Sequence, residues 1–283
     1  MVAYVFPGQG SQKPGMGANL PDEIFREVSD AVSLDVRRLC LEADEDTLRQ
    51  TQNAQIALFT CGMAAFRTVE PSAAWVTAGH SVGEYAALAA TGVLSVADAA
   101  RAVLRRGELM ATAGAIRPGT MAAVLGLERE AIQAVLDAVD GTVVIANDNC
   151  PGQLVISGEV AAIATASAQL TAAGAKRVLP LNVSGAFHSP LMDGPASELG
   201  AFLAELTFHA PAVPIYANVT ARPETDGWPE RLVEQLKSPV RWTEIVQAMV
   251  ADGVTEVVEL GGGEVLLGLI KRIDKSVTGS SVG

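Results

Sequence analysis

The chain opens on a short apolar and aromatic run, Val2 to Phe6, halted by Pro7-Gly8; this reads as a buried strand entering a glycine-rich loop. Helical patterns follow over Asp22 to Cys40 and Gln55 to Thr68, and Ala74 to Ala78 reads as a second buried strand. Strands separated by helices predict a parallel sheet. Val82 to Ala90 is rich in helix formers, so Gly79 to Gly83 marks a strand-turn-helix junction. Ser95 opens another helix, with Asp98 three residues later giving a capping-box-like start.

The middle of the chain has its own order. Met121 to Leu125 reads as a strand, Glu128 to Val139 as a helix, Val143 to Ala146 and Leu154 to Ser157 as strands, Val160 to Ala173 as a helix, and Arg177 to Val183 as a strand. That βαββαβ succession is a ferredoxin-like order. Gly114 to Thr120 and Ser184 to Ser189 then connect it to the main domain, giving a main domain of residues 1–117 and 185–283 and a subdomain of residues 118–184. The alternative is that these strands extend the main sheet. Beyond them lie a proline-spaced stretch at Pro211 to Asn218, helices at Trp228 to Leu236 and Thr243 to Ala251, and a strand at Glu256 to Leu260. Gly261-Gly262-Gly263 precedes a last helix, and Thr278 to Gly283 is expected to be a loose tail.

With 283 residues, 49% hydrophobic and 18% charged, the chain has ample apolar material for a large α/β core. Its formal charge of −12 disfavours nonspecific attraction to nucleic acid or anionic lipid, so an anionic partner needs a local basic patch. Cys40, Cys61 and Cys150 are odd in number and lack metal-ligand spacing, which fits reduced, buried thiols and a cytoplasmic setting. The start MVAYVF lacks the basic segment and apolar core of a signal peptide, and no apolar run is long enough to cross a bilayer, so neither secretion nor membrane insertion is expected.

Gly79-His80-Ser81-Val82-Gly83 fits G-x-S-x-G in the context that motif requires. The glycines permit a tight turn that lifts the hydroxyl out of the sheet, and the following helix N-terminus supplies free N–H groups and positive potential. The plain alternative is a glycine-bounded turn without chemistry. A serine nucleophile needs a base, most often histidine, and the chain has three. His80 adjoins Ser81 and diverges from it, so it reads as a packed support; His209, before the proline-spaced stretch, reads as a loop histidine. His188, in Gly185-Ala186-Phe187-His188-Ser189-Pro190 at the end of a strand, can reach a cleft, or can be a satisfied core histidine.

On the helix from Ser95 to Met110, Val96, Ala99, Val103 and Met110 form an apolar stripe with Arg106 at its edge, while Arg101, Arg105 and Glu108 point away. A buried arginine needs an anionic partner. That partner is either an internal carboxylate or a substrate carboxylate held bidentately. The triple glycine matches nucleotide-binding fingerprints poorly and reads as a tight loop. The carboxylates are scattered, with neither a glycosidase-like pair nor a metal-ligand cluster, so no cofactor is implied.

These residues resemble the malonyl-CoA:acyl-carrier-protein transacylases of fatty acid synthesis and the related acyltransferase domains of polyketide synthases. The resemblance runs through VFPGQGSQ at Val5 to Gln12, TQNAQIAL at Thr51 to Leu58, GHSVGEY at Gly79 to Tyr85, RRGELM at Arg105 to Met110, ANDNCPGQLVISG at Ala146 to Gly158, SGAFHSPLM at Ser184 to Met192 and EQLKSPVRW at Glu234 to Trp242. It implies an α/β-hydrolase-like main domain with a parallel sheet and an inserted ferredoxin-like subdomain. It also implies Ser81 as nucleophile, His188 as base oriented by the backbone carbonyl of Gln235, and Gln9 and Val82 as backbone oxyanion donors. Arg106 then holds the malonyl carboxylate, Gln55 lines its pocket, Phe187 stands beside the acyl α-carbon, and Lys176 and Arg177 dock the carrier protein. The implied partners are malonyl-CoA and an acyl carrier protein, and monomers are common in the family. Cys150 departs from a usual serine and Gly262 from a usual proline.

Two rivals use the same features. A serine esterase or thioesterase shares the elbow and admits water to the acyl-enzyme; Arg106 favours transfer. A non-catalytic carrier-protein docking subunit would have no need for Ser81, His188 and Arg106 together.

Overall fold

A computed structural model describes all residues from Met1 to Gly283. In chain order the elements are β1 Val2–Phe6, α1 Asp22–Val32, α2 Val36–Glu42, α3 Glu45–Arg49, α4 Thr51–Phe66, β2 Trp75–Gly79, α5 Gly83–Ala90 and α6 Val96–Ile116. There follow β3 Gly119–Leu125, α7 Arg129–Leu136, β4 Val143–Cys150, β5 Gln153–Glu159, α8 Val160–Ala172 and β6 Arg177–Pro180. A single turn at Pro190–Met192 leads into α9 Asp193–Leu203, β7 Ile215–Tyr216, β8 Pro223–Glu224, α10 Trp228–Gln235, α11 Trp242–Ala251, β9 Glu256–Leu260, α12 Val265–Ile273 and β10 Thr278–Val282.

The larger sheet runs β10-β9-β1-β2-β7-β8, parallel except for the short β7/β8 pair. Helices cover both faces, which is why β1 and β2 read as continuous apolar runs rather than alternating ones. α4, from Thr51 to Phe66, is apolar nearly all round because it is buried nearly all round, packed on α6 and β9.

The smaller sheet runs β4-β5-β3-β6 and is antiparallel throughout. Its two faces separate with the period of two that a strand imposes. On β3, Ala122 and Val124 pack with Ile132, Leu136, Ile163 and Leu170 of α7 and α8. Met121 joins the core of the larger body instead. Backbone bonds stitch the two bodies where the Asp148 N–H donates to the Val240 carbonyl and the Val240 N–H to the Ala146 carbonyl, each at 2.9 Å.

Four expectations are corrected. The helix expected over Asp22 to Cys40 is two helices, because Ser33 turns left-handed at φ 52° and Asp35 caps the second through the Arg38 N–H at 2.9 Å. Thr278 to Gly283 is not a loose tail: Thr278–Val282 pairs in parallel with β9, an edge strand specified by backbone bonding with almost no apolar pattern. The proline-spaced stretch contains β7, whose Ile215 and Tyr216 pair with Thr77 and Ala78. α6 runs on to Ile116 and so takes in Gly114, where a Cβ would stand 1.9 Å from the Ser184 carbonyl oxygen. α3, a single turn or so outside the expected elements, is capped by Asp44 through the Thr47 N–H at 2.8 Å.

Candidate active site

The parallel strands β1 and β2 end side by side, and their C-terminal loops, with the Gln9 loop on one and Ser81 on the other, face the small sheet. Open α/β sheets place ligands at such ends. Between Gly79 and Gly83 the chain turns so sharply that a Cβ on Gly79 would lie 1.9 Å from the Gly83 carbonyl carbon, and one on Gly83 2.1 Å from the Phe6 carbonyl oxygen. Ser81 sits at the apex with φ 54°, a left-handed conformation that costs about 1–2 kcal/mol outside glycine.

His188, also left-handed at φ 56°, is carried between β6 and α9 and anchored by its N–H on the Leu236 carbonyl at 3.0 Å. Its Nε2 lies 2.8 Å from Ser81 Oγ, and its Nδ1 lies 2.8 Å from the backbone oxygen of Gln235. A carbonyl only accepts, so Nδ1 carries the proton and Nε2 is free to accept from the serine. Burial foremost, then the neighbouring Arg106 charge, pushes the imidazole down to about 3, which keeps it neutral near pH 7.

Arg106 is fully buried. Its Nη1 donates to Gln55 Oε1 at 2.7 Å, and its Nη2 donates to Ser81 Oγ at 2.9 Å and to Gln235 Oε1 at 3.0 Å. The face of Tyr85 lies 5.8 Å from the guanidinium carbon. Nε has no partner, and none of the ion pairs of the molecule includes Arg106. The internal-carboxylate alternative for this arginine therefore has no direct contact behind it.

A cavity of about 90 Å³ opens over these groups, walled by Gln9, Val82, Met110, Met121, Leu181 and Phe187. Neither the Gln9 nor the Val82 backbone N–H is engaged within the chain. A hollow of about 590 Å³ between α12 and β10 is larger but holds none of these residues.

The structure thus brings together Ser81, His188, Gln235, Gln9, Val82, Arg106, Gln55 and Phe187. Lys176 and Arg177 are exposed and lie elsewhere: Arg177 pairs with Leu125, four residues along β3 from Met121, about 13 Å by strand rise. His80 is the support expected of it, its Nε2 2.8 Å from Asn149 Oδ1 and its ring against Trp242. His209 is exposed in a loop. Both departures are buried and unreactive in setting: Cys150 is fully buried, and a Cβ on Gly262 would approach Pro7 Cγ to 2.2 Å.

Three contributors were not singled out from the sequence. Asn218 accepts from the Ser81 N–H through Oδ1 at 2.8 Å, the Gln235 side chain donates to the Ser81 carbonyl at 2.9 Å, and Glu84 bonds both amides. Glu84 had a visible signal, an acid in the first turn of an otherwise apolar helix; Asn218 had none.

A serine on a strand-turn-helix elbow, bonded to an imidazole at the C-terminal ends of a parallel sheet, defines an α/β protein of the serine acyl-transfer class. The chain belongs to the acyl transferase domain family, whose model matches residues 3–281. It is 42% identical to a malonyl CoA-acyl carrier protein transacylase of Bacillus subtilis, over 97% of this chain and 90% of the relative. The crystal structure of an acyl carrier protein S-malonyltransferase from Vibrio cholerae superposes with a TM-score of 0.94 at 42% identity, covering 100% of this chain and 96% of that one. A malonyl-transacylase in complex with its type II PKS acyl-carrier protein superposes at 0.93 with 38% identity, covering 99% and 95%. No helix of the chain is long and apolar enough to cross a membrane.

Proposed function

We propose that this chain moves a malonyl group from malonyl-CoA to the phosphopantetheine thiol of an acyl carrier protein through an ester on Ser81. The observation that carries the reading is a fully buried guanidinium 2.9 Å from the serine hydroxyl, with no carboxylate of its own chain on it. Such a group suits an acyl chain that ends in a carboxylate. The relatives' names agree on that acyl group and that acceptor.

In the first half-reaction the Ser81 proton passes to His188 Nε2 as Oγ bonds to the thioester carbonyl carbon. The negative oxygen that forms is met by the free N–H groups of Gln9 and Val82. The carbon–sulfur bond then breaks and coenzyme A leaves with the proton from His188. The carrier thiol repeats the sequence in reverse roles, its sulfur taking the acyl group and Ser81 regaining its proton. A malonyl carboxylate on Arg106 cancels much of the positive field that depresses His188, so the correct substrate also makes the base stronger. Every step is carried by side chains and backbone, and the scheme includes no cofactor. The ring of Phe187, buried in the cavity wall, opposes a branch at the acyl α-carbon.

The strand order of the small sheet supports reading residues 118–184 as a ferredoxin-like insertion in an α/β-hydrolase-like domain of residues 1–117 and 185–283. Three buried, unbridged cysteines suit the reducing cytoplasm.

The test is intact-mass measurement after mixing with malonyl-CoA. The native chain gains one malonyl group, loses it on adding carrier protein, and Ser81→Ala gains none. Malonate attached to Ser81→Ala would refute the assignment, and loss of the group to water at an unchanged rate with carrier present would favour the hydrolase.

A further inference from the structure

Beneath the serine elbow lies a carboxylate with no part in the chemistry above. Glu84, in the first turn of α5, is 1% exposed and forms no salt bridge. Three donors face it instead: the Asn218 backbone N–H at 2.7 Å, Asn218 Nδ2 at 3.1 Å and Gln235 Nε2 at 2.5 Å. A buried charge without a bonded cation depends on such donors.

Burial drives Glu84 up to about 7; above that pH it is a carboxylate that only accepts hydrogen bonds, so both amides turn their NH2 ends toward it. That commits their carbonyl ends. Asn218 Oδ1 accepts from the Ser81 N–H at 2.8 Å, and Gln235 Oε1 accepts from Arg106 Nη2 at 3.0 Å. The NH2 ends do a second duty, Asn218 Nδ2 donating to the Gly79 carbonyl at 2.6 Å and Gln235 Nε2 to the Ser81 carbonyl at 2.9 Å. The left-handed serine is therefore held at both its backbone N–H and its backbone carbonyl by two amides.

From this geometry we infer that Glu84 is a positioning residue, whose acceptor-only carboxylate sets the facing of the Asn218 and Gln235 amides and through them holds the Ser81 elbow and the Arg106 guanidinium. It deepens the transfer reading and rests on that reading for the meaning of Arg106. Glu84→Gln keeps the shape but puts an NH2 group where one carboxylate oxygen stood, facing either Gln235 Nε2 at the Oε2 position or the Asn218 N–H and Nδ2 at the Oε1 position. One amide must turn over; if it is Gln235, its NH2 meets Arg106 and its oxygen meets the Ser81 carbonyl, both mismatched.

Two readouts on the folded enzyme separate the parts. Sulfonylation of Ser81 by phenylmethanesulfonyl fluoride probes the elbow without any malonate, and the ratio of malonyl-CoA to acetyl-CoA acylation rates probes Arg106. In Glu84→Gln, sulfonylation slows by about ten- to a hundredfold, the worth of one hydrogen bond to a charged group, and the malonyl-to-acetyl ratio falls by a similar factor. Gln235→Met, which leaves the main-chain carbonyl for His188, lowers the ratio in the same way and carries the test if Glu84→Gln does not fold. A merely structural loss slows both acyl groups alike and leaves the ratio unchanged. Folded variants with native sulfonylation and native ratio overturn the inference. Native enzyme that is sulfonylated at Ser81 yet never malonylated overturns the transfer reading, while slowed sulfonylation of Glu84→Gln there still upholds the hold on the elbow.

Discussion

Arg106 and Glu84 are buried ionisable groups of opposite sign that share the Gln235 amide and also act on each other through space, and each is expensive to leave unmatched. Removing the arginine removes the only cation within reach of Ser81 Oγ. Arg106→Ala is expected to slow malonyl transfer far more than acetyl transfer, by about 3–5 kcal/mol of transition-state stabilisation; comparable losses for both acyl groups would dismiss the carboxylate clamp. The buried titrating groups also leave a mark on stability. His188 is held neutral, down at about 3 from an ordinary 6.5, so its contribution is present above pH 6.5 and is lost as pH falls toward 3. Glu84, driven up to about 7 chiefly by burial, behaves oppositely: its contribution is present below pH 4.5 and is lost as pH rises through 7. Between pH 4.5 and 6.5 the two slopes oppose each other. Glu84→Gln deletes one of them, worth about 3 kcal/mol over its window, and should lose stability more steeply on acidification than the native chain. Urea midpoints at several pH values from 4.5 to 7.5 decide this, and parallel curves would count against it.

At the scale of elements, the elbow exists because two glycines let β2, α5 and β1 approach within what any side chain would forbid. Gly83→Ala puts a Cβ 2.1 Å from a strand carbonyl that has no slack, and is expected to cost about 3 kcal/mol or more. Gly194→Ala, in α9 with open space around it, should change stability by less than about 1 kcal/mol. Denaturant titration of both gives the contrast, and equal effects would show that crowding at the elbow is not what the glycine answers. The same distinction explains what could be read from the chain beforehand. β1 and β2 announce themselves as short continuous apolar runs ended by proline or glycine, and Ser81 by its elbow motif, while His188 and Arg106 take their roles from the family resemblance. β10 is an exposed edge strand held by backbone pairing with almost no side-chain pattern, and β7 is only two buried residues, Ile215 and Tyr216, in a proline-spaced stretch too short to show a period. The α1/α2 break rests on one left-handed serine, a conformation that composition does not encode, and on the Asp35 cap, whose signal is a single residue. Asn218 and the Gln235 side chain escaped for a related reason: an amide's role depends on which neighbours it meets across more than a hundred residues of chain.

For the molecule as a whole, the cavity exists because the small sheet is seated against the strand ends by the Asp148–Val240 stitch and by Asp148 Oδ1 accepting from Thr243 Oγ1 at 2.6 Å. The βαββαβ order was legible from alternating patterns; its seating was not, since it depends on tertiary bonds between distant segments. A chain of net charge −12 repels an anionic partner at long range, so such a partner must be received at a local exception. We propose the exposed Lys176 and Arg177, at the start of β6, as that exception; neither takes part in any ion pair of the molecule. They stand about 13 Å along the strand from the cavity, far enough to touch a partner's surface while its prosthetic arm enters. Reversing both charges, Lys176→Glu with Arg177→Glu, should raise KM for carrier protein by about tenfold at low salt and less at high salt, because rim charges act on encounter. Acylation by malonyl-CoA, followed as a mass gain without carrier, should keep its rate. A variant that slows both half-reactions together, or neither, would place the docking surface elsewhere on the molecule.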